Sequence, residues 1–405
     1  MAVDLSIDFC GLKFQNPFVL APSPCTDNLD LLAEAFEAGW AGAVLKTVSV
    51  ESPTLSRVHP LVSKVNDRAG GFLALQNIDL FSEFPVEEIE TRLRILKERF
   101  PAQRVAASIT GKGKEEWQFL AQRLAAAGAD FIQCSISCPH GAVAELGPYV
   151  QDLKSMELIA AWVKEAVQDV PVVMKLSPQI ASMAAAAQAV QRGGADGVCA
   201  VNTLKSITGV DLDTFVPLPN IGDFSTFGGL SGPALKPVAL RCTAEIARQV
   251  DIDIAASGGI TFWQDAAEFL LLGAKTLQIC TAVLRYGIQI IEDLTTGLSA
   301  WMEKKGLPNI AAVCGKSLPN LLEHAQLPRG LQVMAKIDRC LCNGCGHCVV
   351  ACRLGGHQAI RKDQEDLPRV NPDRCAGCGF CQAVCPLDAI SLLRANGEPA
   401  LFRRA

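Results

Sequence analysis

The stretch that decides the fold reads VVMKLSPQIASMAAAAQAVQRGGADGVCAV and spans residues 172–201. Its two ends, Val172–Leu176 and Gly197–Val201, are short apolar runs, which are typical of parallel strands covered on both faces. Between them, Met183–Arg192 has the apolar period of a helix and ends at Gly193, a helix C-cap that leads into the next strand. The stretch therefore predicts one strand–helix–strand unit of an α/β fold with a parallel sheet.

The same alternation runs through the first 305 residues. The other predicted strands are Phe18–Ala21, Gly42–Lys46, Val105–Ile109, Asp130–Ser135, Ile252–Ala256 and Thr276–Cys280. Amphipathic stretches between the strands include Asp30–Ala38, Glu115–Ala127, Glu157–Gln168, Val238–Gln249 and Trp263–Leu272. Eight strands in this order predict a (β/α)8 TIM barrel. The alternative is a doubly wound open sheet, which is expected to carry an early glycine-rich turn between strand and helix, and the sequence has none there.

The composition excludes several classes of protein. The chain has 405 residues, 49% of them hydrophobic, which is enough for a barrel and a smaller second domain. A net charge of -5 gives no electrostatic reason to expect nucleic acid or a membrane surface as the main partner. The N-terminus lacks a secretory signal, and no apolar stretch is long enough to span a membrane. We therefore expect a cytoplasmic protein, in which 17 cysteines, an odd number, argue against a disulfide framework.

The cysteines concentrate in two C-x2-C-x2-C-x3-C runs near the C-terminus. This spacing is typical of two 4Fe-4S clusters in which the fourth cysteine of each run ligates the other cluster. One cluster is then predicted to bind Cys342, Cys345, Cys348 and Cys385, and the other Cys375, Cys378, Cys381 and Cys352. The alternative, two zinc sites, is disfavoured because zinc sites usually pair two separate C-x2-C knuckles. Cys340 is surplus to the pattern.

The rise in cysteine density also divides the chain. We predict a barrel domain over 1–305, a connector rich in turn-forming residues over 306–334, and a small α+β domain over 335–405. The last domain resembles a bacterial two-cluster ferredoxin. It is too short to build a large core, so it needs its metal centres for stability.

The loops after the barrel strands carry the candidate chemistry, because TIM-barrel active sites lie at that end. Glycine pairs at Gly228 and Gly258 allow backbone N–H groups to approach an anion, although such pairs are commonly plain tight turns. Lysines near two strand ends can stabilise negative charge, and a thiol between Ser137 and His140 is a candidate proton donor. Together, beside an electron-transfer domain, these features favour a flavin site. Residues 52–71 are predicted to form a loop at the barrel mouth.

At this point the sequence resembles a known family. The barrel is similar to the dihydroorotate dehydrogenase superfamily, and residues from about 4 to about 395 resemble the catalytic subunits of bacterial NAD-dependent dihydropyrimidine dehydrogenases. Besides both cysteine runs, the resemblance rests on Gly11-Leu-Lys-Phe-Gln-Asn-Pro17, Ala38-Gly39-Trp40, Lys46-Thr47, Asn77, Ser137-Cys138-Pro139-His140-Gly141, Gly193-Gly194-Ala195-Asp196-Gly197, Asn202-Thr203, Gly229-Leu-Ser231-Gly232 and Gly258-Gly259-Ile260. It implies FMN at the barrel mouth and two 4Fe-4S clusters.

The resemblance also implies roles for individual residues. Cys138 matches the general acid that protonates one carbon of a substrate C=C bond while reduced FMN gives hydride to the other, and His140 matches a residue that assists. Lys46 matches a catalytic lysine beside the flavin ring, where a cation stabilises the reduced form. The implied FMN-binding residues are Ala21, Ser23, Lys46, Thr47, Lys175, Asn202, Gly232, Gly258, Gly259, Thr281 and Ala282.

The implied substrate is a pyrimidine base, read by polar side chains. The matching positions are Asn77, Asp79, Ser135, Ser137, Asn202 and Thr203. Ser135 departs from the family, which usually has asparagine there, and a serine reaches less far than a carboxamide. Two readings stay open: a water fills the gap beside Ser135 and the substrate is still a pyrimidine, or the substrate is a different cyclic enone, enamide or conjugated acid.

No dinucleotide-binding G-x-G-x-x-G follows a strand, so we expect NAD(P)H to bind only through a partner. That partner is predicted to be a flavoprotein subunit carrying FAD and an NAD(P)H site, or a ferredoxin, and we expect the chain to act within an oligomer. Three alternatives to the reductase stay open: an electron-transfer subunit, a scaffold whose clusters only stabilise the fold, and the sister activity of dihydroorotate oxidation.

Overall fold

The computed structural model describes residues 3–54, 58–136, 152–394 and 397–398. Contacts divide the chain into two compact units, Met1–Leu321 and Leu322–Ala405. Among the described residues, no helix is both long and apolar enough to cross a membrane.

The strands of the first unit are numbered in chain order. They are β1 (Ile7–Phe9), β2 (Leu12–Phe14), β3 (Phe18–Leu20), β4 (Gly42–Val44), β5 (Val62–Asn66), β6 (Phe72–Asn77), β7 (Arg104–Ile109), β8 (Ile132–Ser135), β9 (Val172–Leu176), β10 (Gly197–Ala200), β11 (Leu204–Ser206), β12 (Gly228–Ser231), β13 (Asp253–Ser257) and β14 (Thr276–Ile279).

Eight of these strands close a parallel barrel in the order β3-β4-β7-β8-β9-β10-β13-β14, which confirms the predicted TIM barrel. The strands are almost entirely buried because the barrel interior covers one face and the helices cover the other. The helices of this unit are Leu29–Ala38, Val86–Arg99, Lys114–Ala126, Leu153–Val167, Met183–Arg192, Lys236–Gln249, Trp263–Leu271, Thr281–Tyr286 and Ile290–Lys304.

Helix ends follow local sequence signals. The side chains of Asn28, Asp152 and Ser182 accept hydrogen bonds from the first turns of the helices that they precede. Gly39 ends the first helix in the left-handed conformation, at φ 111°. The helix Val86–Arg99 is not among the stretches named from the sequence, although its buried residues Val86, Ile89, Leu93 and Leu96 follow helical spacing.

A second sheet of four antiparallel strands, in the order β11-β12-β6-β5, accompanies the barrel; we call it the cover sheet. It corrects two predictions. Residues 62–66 and 72–77 form a hairpin, where the sequence predicts a mouth loop up to Gly71. The Gly228 segment is a strand, where the sequence suggests a loop. Its glycines pack closely, since a Cβ on Gly228 would lie 2.6 Å from Gln76 Cγ.

The predicted connector, 306–334, is divided between the two units. Its first part packs on the barrel: Ile310 and Val313 are fully buried in the barrel core. Backbone hydrogen bonds tie it to the N-terminus, because Asp4 N–H donates to Pro308 O and Ile310 N–H donates to Asp4 O. The first unit therefore extends to Leu321.

In the part that the structure describes, the second unit has two antiparallel sheets of two strands each and two short α-helices. Its strands are β15 (Val333–Ile337), β16 (Ile360–Lys362), β17 (Pro368–Val370) and β18 (Ile390–Arg394), and its helices are His347–Leu354 and Phe380–Ala383. Strand β15 pairs with β18, and β16 with β17, both antiparallel. The core is small and includes three cysteines, Cys348, Cys352 and Cys381, beside aliphatic residues such as Ile360 and Leu392.

Candidate active site and cluster cavities

A large cavity lies at the carboxyl ends of the barrel strands, beside the cover sheet. Its empty volume, which includes space open to solvent, is about 1390 Å3. The residues predicted from the sequence that line it are Ala21, Ser23, Lys46, Thr47, Asn77, Asp79, Ser135, Lys175, Asn202, Thr203, Gly232, Gly258, Gly259 and Thr281. The fold thus gathers residues from nearly the whole barrel into one site.

Lys46 and Asp79 form a buried ion pair in the cavity wall. Lys46 Nζ donates to Asp79 Oδ2 at 2.6 Å, and their side chains are only 4% and 12% exposed. The other carboxylate oxygen, Asp79 Oδ1, is buried and accepts no hydrogen bond from the described residues. An orphaned acceptor beside a cavity fits an N–H donor on a bound ring, because buried polar atoms are normally paired.

Two glycine segments form a cradle for an anion. Gly258 and Gly259 have φ values of 125° and 81°, a region that a side chain adopts only with strain. A Cβ on Gly259 would lie 2.7 Å from Lys236 Cβ and 2.9 Å from the carbonyl oxygen of Gly232. Only glycine therefore fits at this position of the cavity wall, where the turn packs closely against Lys236 and Gly232. The cradle fits the phosphate and ribityl chain of FMN.

Hydrogen bonds hold the parts of this wall together. Thr281 Oγ1 donates to Ser231 Oγ at 2.9 Å, which joins the start of a helix to strand β12. Asp265 Oδ2 accepts from the backbone N–H of Thr261 at 2.8 Å, and the other carboxylate oxygen, Asp265 Oδ1, forms an ion pair with Lys236. The turn after Gly259 is therefore positioned from two sides.

The predicted substrate residues lie on the cover sheet and at strand ends. Asn77 is held by its side chain, whose Nδ2 donates to Gly229 O at 3.2 Å across strands β6 and β12. Asn202 Oδ1 accepts from the backbone of Thr203 at 2.8 Å. Ser135 ends strand β8 and is 7% exposed. These groups offer a mixed set of donors and acceptors, which suits the edge of a pyrimidine.

A buried glutamine pair that sequence reasoning did not find lies at the base of the cavity. Gln278 lines the cavity, and its Nε2 donates to Gln133 Oε1 at 2.6 Å. Gln133 Nε2 is buried and donates no hydrogen bond to the described residues. The available signal is a glutamine inside an otherwise apolar strand, as in Ile132–Ser135 and Thr276–Ile279. Such a residue needs a polar partner when it is buried, and here the two glutamines partner each other.

Cys280, also not predicted as a site residue, lines the cavity after strand β14. Although its side chain is partly accessible, the surrounding protein raises the pKa of Cys280 to about 11, mainly by burial. The group is therefore a neutral thiol at neutral pH.

Four of the predicted site residues are not among the described residues that line the barrel cavity. Ser137, Cys138 and His140 lie outside the described residues. Ala282 does not line the cavity: it is 3% exposed and belongs to the barrel core, because it is the second residue of a short helix that packs inward. Its neighbour Thr281 provides the cavity contact instead.

The second unit has two small cavities lined by thiols. Cavity I is lined by Cys342, Cys345, Cys348 and Cys385, and cavity II by Cys352, Cys375, Cys378 and Cys381. Each cavity therefore combines three cysteines of one run with the fourth cysteine of the other run, as the spacing predicts. Cys340 lines neither cavity and is exposed. Among the described residues, no group of three or more His, Cys, Asp or Glu is arranged to hold a single metal ion.

Backbone N–H groups point at several of these sulfurs. Ala389 N–H donates to Cys385 Sγ at 3.3 Å in cavity I. In cavity II, Ala359 N–H donates to Cys352 Sγ at 3.2 Å and Ala335 N–H to Cys375 Sγ at 3.5 Å. Four thiols around a small cavity, with N–H donors to their sulfurs, fit a 4Fe-4S cluster.

Comparison with known protein families supports both the barrel cavity and the two cysteine-lined cavities. The sequence profile of the dihydroorotate dehydrogenase family matches residues 4–302. The chain belongs to the dihydroorotate dehydrogenase family. A second profile, for a 4Fe-4S dicluster domain, matches residues 335–392 and overturns the zinc alternative. Members of this family are oxidoreductases that bind FMN, so the predicted FMN and 4Fe-4S cofactors and the enzyme class are confirmed.

Three relatives cover most of the chain. The NAD-dependent dihydropyrimidine dehydrogenase subunit PreA of Escherichia coli K12 is 38% identical over 362 residues, which are 88% of this chain and 87% of the relative. The chloroplastic dihydropyrimidine dehydrogenase (NADP(+)) of Arabidopsis thaliana is 32% identical over 338 residues, 80% of this chain and 79% of the relative. The catalytic subunit of dihydroorotate dehydrogenase B (NAD(+)) of Pyrococcus furiosus is 35% identical over 318 residues, 77% of this chain and 98% of the relative.

Proposed function

We propose that this protein reduces the C=C bond of a pyrimidine base, uracil or thymine, to the 5,6-dihydro form, in a reaction that is reversible in principle. The observation that carries the proposal is the cavity at the barrel mouth, which combines a glycine cradle and lysines with polar side chains that suit the edge of a pyrimidine. The names of the Escherichia coli and Arabidopsis thaliana relatives support the same reaction.

We propose that the residues of the cavity hold FMN and substrate side by side. Lys46, Thr47, Lys175 and the glycine cradle would hold the flavin, while Asn77 and Asn202 would bind the pyrimidine edge. When bound, FMN supplies the hydride, and the two clusters deliver its electrons one at a time. The Lys46 cation would stabilise negative charge on the reduced flavin, while Asp79 holds the lysine side chain in place. Asp79 Oδ1 is an acceptor for a ring N–H.

We propose that Cys138, which lies outside the described residues, donates the proton and that His140 assists. A thiol suits this step because it is a modest acid that holds its proton near neutral pH. The Cys138→Ala variant is expected to keep its flavin absorption spectrum and lose turnover. The matched control is Cys340→Ala, which removes an exposed thiol that lines neither cluster cavity and is expected to keep full turnover. Unchanged turnover in Cys138→Ala would favour an electron-transfer subunit instead.

The substrate is tested by an anaerobic screen. Protein reduced with dithionite is mixed with uracil, thymine, orotate and other unsaturated rings, and flavin reoxidation is followed by absorbance. Reoxidation by uracil or thymine, and not by orotate, is expected. Reoxidation by orotate alone would instead support dihydroorotate chemistry, the second candidate, which the Pyrococcus furiosus relative favours. Response only to another ring would point to the altered contact at Ser135.

We propose that a partner supplies the electrons. The subunit name of the Escherichia coli relative supports a multi-subunit enzyme, and the partner here is a flavoprotein with FAD and an NAD(P)H site, or a ferredoxin. The purified chain alone is expected to reduce substrate with an artificial donor and to leave NAD(P)H unoxidised. Rapid NAD(P)H oxidation by the chain alone would contradict this proposal.

A further inference from the structure

The two halves of the second unit are related by an internal repeat. Every cysteine of the first run has its counterpart 33 positions later, as in Cys342 and Cys375. The glycines between them repeat as well: Gly344 and Gly377 have φ values of 74° and 66°. The backbone atom closest to an added Cβ is Asp366 O at Gly344 and Val333 O at Gly377, again 33 positions apart. The repeat is therefore structural and not only a feature of the sequence.

Ala335 and Pro368 occupy equivalent positions in this repeat. Each lies seven positions before the first cysteine of a run, Ala335 on β15 and Pro368 on β17. Each also lines the cavity of the opposite half: Ala335 lines cavity II and Pro368 lines cavity I.

The backbone nitrogen of neither position takes part in the hydrogen bonds between the two strands of its pair. Asp338 N–H donates to Ala389 O, so the alternation of an antiparallel pair directs the N–H of Ala335 away from β18. Asp363 N–H donates to Leu367 O, so the nitrogen of Pro368 is likewise directed away from β16. Both nitrogens are thus on the side that can face a cluster.

The two positions differ in what they can donate. Ala335 N–H donates to Cys375 Sγ in cavity II at 3.5 Å. Proline has no N–H, so Pro368 offers no such bond to the equivalent cysteine of cavity I, Cys342. Elsewhere in the repeat, Ala359 N–H donates to a sulfur of cavity II and Ala389 N–H donates to a sulfur of cavity I.

We propose that Pro368 lowers the reduction potential of the cluster in cavity I by withholding an N–H···S hydrogen bond, which makes that cluster the weaker electron acceptor of the two. Reduction adds negative charge to the cluster and its sulfurs, and an N–H donor stabilises that charge. In the half-reduced protein the electron then resides in cavity II, so the repeat gives the electron pathway a downhill direction between its two centres. The inference rests on the proposed cluster ligation.

The test is an anaerobic redox titration of the full-length, cluster-loaded protein, followed by electron paramagnetic resonance. Wild type is expected to show two one-electron waves. Pro368→Ala and Pro368→Val each restore an N–H, and valine also keeps most of the volume of the buried proline. Both variants are expected to raise the equilibrium constant for reduction of the lower-potential cluster about tenfold, which corresponds to the free energy of one net hydrogen bond. The midpoint potential of that wave then rises by about 59 mV, and the other wave stays in place.

Two further variants complete the design. Pro372→Ala is the matched control, because Pro372 lies in the same segment and lines neither cavity; it is expected to move neither wave. Ala335→Pro removes the donor to cavity II and is expected to lower the upper wave. The proposal is overturned if both Pro368 variants leave the lower wave in place, or if they move the upper one. Wild-type protein without iron, acid-labile sulfide or any cluster signal would instead refute the cluster ligation itself.

Discussion

Replacing Asp79 by asparagine tests the buried ion pair in the cavity wall. At 2.6 Å, two unit charges attract by about 6 kcal/mol at an effective dielectric constant of 20. The Asp79→Asn change leaves the Lys46 cation, only 4% exposed, without its counter-ion. The surrounding protein reorganises and water enters to solvate the remaining charge, so the net cost is smaller than the direct attraction. We expect a loss of about 3–5 kcal/mol in the free energy of unfolding of the barrel.

Denaturant unfolding followed by tryptophan fluorescence measures this loss. All five tryptophans lie in the first unit, so the signal reports on the barrel and not on the cluster-binding unit. FMN is kept at one fixed concentration, because a ligand that binds only the folded state adds stability. The matched control is Glu51→Gln, which breaks the exposed pair between Lys112 and Glu51 and is expected to cost about 0.2–1 kcal/mol.

The result that would refute the reasoning is an Asp79→Asn variant that loses no more stability than Glu51→Gln. The double variant Lys46→Met/Asp79→Leu removes both charges and supplies a further check. It is expected to lose less than Asp79→Asn, because a buried pair replaced by apolar residues leaves no uncompensated charge.

Three further predictions concern the glycine cradle, the surplus cysteine and the cavity thiol. Gly259→Ala forces a Cβ against Lys236 at a φ of 81°, so we expect a loss of about 1–3 kcal/mol in stability and less FMN retained after gel filtration; full retention would contradict the cradle. Cys340→Ser is expected to keep the iron and sulfide content of wild type, whereas Cys342→Ser loses iron; iron loss in Cys340→Ser would make that thiol a ligand. Because the pKa of Cys280 is raised to about 11, we expect slow alkylation by iodoacetamide at neutral pH, with a rate that rises about tenfold per pH unit until the pH approaches 11. Peptide mass spectrometry measures this rate, and fast alkylation at pH 7 would contradict burial of the thiol.

The barrel could be predicted because its signals are local. Each parallel strand is covered on both faces, so it reads as a short apolar run, and glycine or polar caps mark where helices end and begin. The prediction failed where sequence signals are weak. The cover-sheet strand Val62–Asn66 is exposed or half-buried and has a sparse apolar pattern. The helix Val86–Arg99 has many charged residues, which obscure the helical spacing of its buried residues. Strand Gly228–Ser231 has glycines where close packing against Gln76 requires them, which in a sequence resembles a turn.

The sequence predicts 14 of the residues that line the cavity but not the contacts between them. Lys46 and Asp79 were assigned separately, one to the flavin and one to the substrate, and the structure joins them in one ion pair. The Gln133–Gln278 pair links residues 145 positions apart on two strands, and no local pattern records such a partner. Pairings of this kind depend on which strands become neighbours when the barrel closes.

By itself, the sequence determined the barrel strands, the division of the cysteines into two interlocked runs and 14 of the residues that line the cavity. Spacing suffices there, because strand and helix periods and the C-x2-C-x2-C-x3-C loop are properties of short segments. Only the tertiary structure decided that Asp79 pairs with Lys46 through one oxygen while its other oxygen accepts no hydrogen bond from the described residues. It also decided that Pro368 occupies the position equivalent to Ala335, whose N–H donates to a sulfur. Those facts depend on atoms that folding brings together from distant parts of the chain, so their chemistry is set by three-dimensional contact and not by neighbours in the sequence.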